Sequence, residues 1–172
     1  MRNPHSALCT PHSSLTPLDY AYRLLARRAY SEQELAEKLT AKGFTPSAVT
    51  RTVARLKDQG YLNDTRLAAD QAERLRTQGF GPEGIRAKLA QKGLAAGTIE
   101  QTLEAGGEDQ DVQSARRLLA SRFPADALKQ PQIRARAFRL LLRRGYAQEI
   151  VESLLGDELG DAWKVEIEAE KE

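Results

Sequence analysis

The chain has 172 residues, a formal net charge of +2, 41% hydrophobic and 29% charged residues, and a single cysteine. Such a length admits one ordinary domain or several small units. One cysteine excludes an internal disulfide, and no apolar run approaches the ~20 residues of a membrane-spanning helix, so a protein of a reducing compartment, the cytoplasm, is expected.

In chain order, residues 1–17 are polar and rich in Pro and Ser, with no apolar core of a secretory signal. A disordered N-terminal tail is expected there. His5, Cys9 and His12 lie in it, but a closed zinc site takes four ligands on a fixed frame. Neither a metal nor a cofactor is expected.

The stretch KLTAKGF (Lys38 to Phe44) returns as KLAQKGL (Lys88 to Leu94) and, more loosely, as LLLRRGY (Leu140 to Tyr146). With Gly43, Gly93 and Gly145 in one column, Leu39, Leu89 and Leu141 stand four residues earlier, and Leu35, Ile85 and Ala137 eight earlier. Val49, Ile99 and Val151 stand six later, and Val53, Leu103 and Leu155 ten later. Apolar residues four apart share one helix face. A glycine just past them closes a helix in the left-handed conformation, and a second helix comes after it. Agreement at a period near fifty is the mark of a repeat array.

Starts are also marked. Ser31 to Glu34 reads as a capping box. Thr45-Pro46, Gly81-Pro82 and Gln130-Pro131 place proline in a first turn, where its missing N–H costs nothing. A further periodic segment precedes each marked helix: Leu18, Tyr22, Leu25 and Ala29, then Ala68, Ala72 and Leu75, then Val112, Ala115 and Leu119. The expected fold is all-α: three tandem three-helix repeats over residues 18–62, 63–106 and 107–156, stacked into an elongated, curved array. Residues 157–172 form an acidic C-terminal tail. It holds seven acids against Lys164 and Lys171, a net charge of −5, which leaves +7 on the rest of the chain. That asymmetry points to an acidic or polyanionic partner, with the tail either competing for the same basic surface or simply solvating the C-terminus.

No nucleophile, base and orienting group come together in any motif. Both histidines and the cysteine lie in the N-terminal tail, and there is no phosphate-binding loop, HExxH or CxxC. The chain is therefore expected not to be an enzyme. What remains is basic surface. Arg136, Arg139 and Arg143 are spaced three and four apart on one helix face, flanked by Arg134 and Arg144. Arg23, Arg27 and Arg28 form a second group, Arg51 and Arg55 a third, and Arg66, Arg74 and Arg76 a fourth. Arginine forks bind carboxylate or phosphate in bidentate fashion. From charge and spacing, the partner-binding candidates are Arg27, Arg28, Arg66, Arg74, Arg134, Arg136, Arg139, Arg143 and Arg144.

The segments LKDQGYLNDTRLA (Leu56 to Ala68) and GPEGIRAKLAQKGL (Gly81 to Leu94) resemble the RecX family, regulators of the RecA recombinase, and SEQELAEKLTAKGF fits the same family. The resemblance runs from about Leu18 to Gly156. Arg66 lies inside the motif; Gly60, Tyr61, Gly81 and Gly93 are read as turn and packing residues. Leu67 stands where the family often has phenylalanine, and Asn63 where aspartate is usual. The resemblance implies three tandem three-helix repeats lying in the groove of the RecA filament on single-stranded DNA. It further implies inhibition of RecA's ATPase, strand exchange and co-protease activities, modulating homologous recombination, DNA repair and the SOS response. A monomer without a membrane partner is expected. Two other readings stand beside this one. The first is a direct DNA-binding protein, such as a transcriptional repressor, using helix-turn-helix-like units. The second is a helical scaffold for another acidic protein.

Overall fold

The computed structural model describes residues 15–156, so His5, Cys9, His12 and the acidic segment 157–172 lie outside the described residues. All regular structure in the described residues is helical, as expected.

The first unit ends at Leu62 and carries α1 (Pro17–Leu25), α2 (Glu32–Ala41) and α3 (Pro46–Asp58). Each start has a local cause. Thr16 accepts from the Asp19 amide, and Ser31 from the Glu34 amide at 3.0 Å, each in a reciprocal capping box. Proline at the head of α1 and α3 needs no amide partner. The apolar stripes meet in one core of Ala21, Leu35, Leu39, Val49 and Leu56, closed by Tyr30 and Leu62. Tyr61 is exposed and sets its ring edge-on to Tyr22 at 5.2 Å.

The second unit begins at Asn63 and carries α4 (Asp64–Thr77), α5 (Pro82–Gln91), α6 (Ala96–Arg122), α7 (Pro131–Arg143) and α8 (Gln148–Leu155), with a 3-10 turn at Ala127–Lys129. Asn63 caps α4: its Oδ1 accepts from the Arg66 amide at 2.8 Å. Asn63→Ala is expected to lower stability by about 1 kcal/mol in urea denaturation. Leu67 is buried in the α4–α5–α6 core with Ala68, Ala72, Ile85, Leu89, Leu94 and Ile99. Helix α6 bends at Gly107, where φ is +71° and ψ 157°. The arm beyond the bend builds a second core, in which Ala115, Leu118 and Leu119 pack with Ala137, Phe138, Leu141, Tyr146, Val151 and Leu155 of α7 and α8.

These two cores are joined by a backbone interlock. The Gly81 amide donates to the Arg144 carbonyl at 2.9 Å and the Glu83 amide to the Gly145 carbonyl at 3.0 Å. The free amides at the head of α5 thus satisfy the free carbonyls at the foot of α7. The two backbones touch so closely that a Cβ on Gly145 would lie 2.1 Å from the Gly84 nitrogen, and one on Gly84 2.4 Å from the Arg144 oxygen. Deeper in the joint, Arg76 of α4 and Asp111 of α6 are both buried, with Arg76 Nε 3.5 Å from Asp111 Oδ1. Tyr146 donates to Ser114 Oγ at 2.9 Å, and Ser114 donates onward to the Arg76 carbonyl at 2.7 Å. Arg76, grouped by sequence with the surface arginines, is a correction. It falls four residues past Ala72 and eight past Ala68, on the buried stripe, where those small side chains leave room for it.

Candidate functional site

Helix α7 divides its faces sharply. Ala137, Phe138 and Leu141 are buried in the core, while the three-and-four spacing of Arg136, Arg139 and Arg143 sets these arginines on another face. The structure brings those three together with Arg122, from the last turn of α6, around one surface cleft of about 500 Å³ with Phe123 and Leu140 in its wall. Gathering like charges in one cleft is unfavourable, and an anion seated between them offsets that repulsion. Guanidinium forks offer such an anion paired, directional donors. Arg122 escaped the sequence reading because it approaches from another helix, across the 3-10 turn, where no periodicity connects it to α7.

The other candidates have different settings. Arg134 turns its Nε to the Leu128 carbonyl at 3.1 Å, holding the 3-10 turn against α7. Arg144 donates to the Gln78 carbonyl at 3.0 Å and stacks 4.6 Å from the Phe80 ring centroid, with the Lys88 ammonium 4.5 Å from the same ring. It thus clamps the joint between the two cores of the second unit. In the first unit, Arg28 pairs with Glu34 at 3.1 Å, donates to the Ala29 carbonyl at 2.9 Å and lies 3.7 Å above the Tyr30 ring. The Glu34 carboxylate beside it pushes its pKa still higher. Its neighbour Arg27 is exposed. On α4, Arg66 and Arg74 are exposed, with Arg66 3.9 Å from Asp70. Arg27, Arg66 and Arg74 are thus exposed but do not line the cleft, Arg136 and Arg143 are exposed in its lining, and Arg28, Arg134 and Arg144 hold the fold.

Among the described residues, no group of His, Cys, Asp and Glu is arranged to hold a metal ion, and no helix is long and apolar enough to cross a membrane. The arrangement suits anion binding.

Comparison with known proteins sets this geometry in a family. Residues 18–56 match the first three-helix domain of RecX, and residues 63–103 match the second. The regulatory protein RecX of Xanthomonas axonopodis pv. citri is 39% identical over 131 residues, covering 76% of this chain and 80% of that protein. That of Deinococcus radiodurans is 36% identical over 134 residues, covering 78% of this chain; the match spans 64% of that longer relative. The fold is shared with the crystal structure of RecX from Lactobacillus salivarius, with a TM-score of 0.68 at 19% identity over 83% of this chain and 94% of that one. The chain belongs to the RecX family of regulatory proteins.

Proposed function

We propose that this protein is a regulator of RecA that binds the groove of RecA–DNA filaments and restrains their ATP hydrolysis, strand exchange and co-protease activity. Through these it modulates recombinational repair and the SOS response. It acts as a monomeric binding protein in the cytoplasm, with no chemistry of its own. The main support for this reading is the convergence of Arg122, Arg136, Arg139 and Arg143 on one cleft in a RecX-family chain. Such a cleft takes acidic side chains of a protein filament or phosphates of the DNA within it.

Replacing Arg136, Arg139 and Arg143 together by alanine is expected to weaken binding to RecA filaments on single-stranded DNA by roughly tenfold or more, as charge-assisted contacts are lost. Helicity should persist, because alanine is the better helix former. Fluorescence anisotropy of labelled protein measures the binding, and circular dichroism the fold. Unchanged affinity in a folded triple variant would place the binding face elsewhere.

A second reading, direct binding to DNA, is favoured by the same cleft, since guanidinium forks accept phosphate as readily as carboxylate. Binding to bare DNA would then weaken steeply with salt, with a slope that counts the phosphates neutralised.

A further inference from the structure

The arginine cleft does not stand alone. Phe123 lines it and also lines a groove of about 580 Å³, whose apolar walls include Leu119, Pro124, Leu128 and Leu154, beside Arg116 and Ser153. The groove and the cleft share that residue in their walls. Ser153 and Leu154 belong to the last turn of α8, so the chain leaves the last helix of the described residues at the groove's own wall. Gly156, with φ +82° and ψ 152°, turns the backbone out of the helix there.

The segment beyond Gly156 has a composition that matches this double surface. Residues 157–172 carry seven acids against two lysines, and they contain Trp163, the single tryptophan of the chain. Seven extended residues span roughly 23–25 Å, so Trp163 is within reach of the groove. Attachment to α8 also gives the segment a high effective concentration, on the millimolar scale, at a surface beside its own origin. An aromatic ring suits the apolar groove, and carboxylates suit the arginines beside it.

We propose that the acidic segment 157–172 docks on its own chain, with Trp163 in the Phe123–Leu128–Leu154 groove and its carboxylates on Arg122, Arg136, Arg139 and Arg143, as a built-in competitor for the anion that the cleft binds. At low anion concentration the tail then occupies the cleft, and an external polyanion competes with it for the same arginines. Any partner of the cleft must outcompete sixteen tethered residues.

The test needs no RecA, so its failure is separate from failure of the regulatory reading. Emission of Trp163 is recorded in the full chain at low salt and compared with that of a synthetic peptide of residues 157–172. In the full chain it is expected to be blue-shifted and several-fold less quenched by acrylamide. Adding a single-stranded oligonucleotide, or substituting Arg136→Ala with Arg143→Ala, should return it toward the peptide's values. In parallel, a chain ending at Gly156 is expected to bind that oligonucleotide roughly tenfold more tightly than the full chain, since a tethered competitor is gone. Emission identical to the free peptide overturns the proposal. A shifted emission that neither the arginine substitutions nor the oligonucleotide moves overturns it as well, as does equal oligonucleotide affinity of the truncated and full chains.

Discussion

Gly145→Ala is expected to lower the stability of the second unit by about 3–5 kcal/mol, while Gly43→Ala, at the same position of the repeat, lowers that of the first by only about 1–2 kcal/mol. Both glycines close a helix with positive φ, +84° and +97°, so both substitutions meet the left-handed penalty. The difference is what lies beside them. A Cβ on Gly43 meets nothing within 4 Å. One on Gly145 would stand 2.1 Å from the Gly84 nitrogen and 2.8 Å from its Cα. Those are backbone atoms, which no rotamer change can withdraw. Relief requires parting α5 from α7 and losing the Gly81–Arg144 and Glu83–Gly145 hydrogen bonds. Urea denaturation followed by far-ultraviolet circular dichroism measures both variants. Equal losses would mean the interlock contributes nothing.

Asp111→Ala is the second large effect, about 3–5 kcal/mol at neutral pH, because it leaves Arg76 as a buried charge without its counter-ion. The pair is not well satisfied even in the native protein: Arg76 Nε and Nη2 and Asp111 Oδ1 have no hydrogen-bond partner among the described residues. Burial pushes the Asp111 carboxyl above its ordinary value, and the Arg76 guanidinium pulls it back only in part. A carboxyl raised on folding favours the native state in its protonated form. That contribution is fully present below the ordinary aspartate range and is lost as pH rises through the folded value. Adding Arg76→Met removes the stranded charge and should recover most of the neutral-pH loss, a coupling that a double-mutant cycle reads directly. Strictly additive costs would show that the two side chains do not compensate one another. A Cβ on Gly106 would fall 1.9 Å from Arg76 Nη2, so this corner has little room for other arrangements of the guanidinium.

The helices were legible because their causes are local. The Leu35–Leu39 and Ile85–Leu89 stripes, the Ser31–Glu34 capping box and the prolines at helix heads act within a turn or two of the chain, and the structure places them in those roles. Gly145 was legible as a helix terminator but not as one half of an interlock, since Gly84 lies far away in sequence and nothing periodic connects them. Arg76 shows a signal present and overridden. Its spacing from Ala68 and Ala72 marked it as inward-facing, yet its charge suggested surface. Asp111, four residues before Ala115, carries the complementary mark on α6. The arginines of α7 were found by spacing, whereas Arg122 joins them only through the fold.

The regulatory reading is tested most directly by titrating the protein into RecA filaments on single-stranded DNA while following ATP hydrolysis and binding anisotropy together, with bare DNA in parallel at the same salt. Tight binding to filaments, falling ATP hydrolysis and much weaker binding to bare DNA are expected, with both filament effects reduced in the Arg136, Arg139 and Arg143 triple variant. ATP hydrolysis that stays constant while filaments are saturated would contradict this role, and loss of hydrolysis that extra bare DNA reverses would assign the effect to competition for DNA instead.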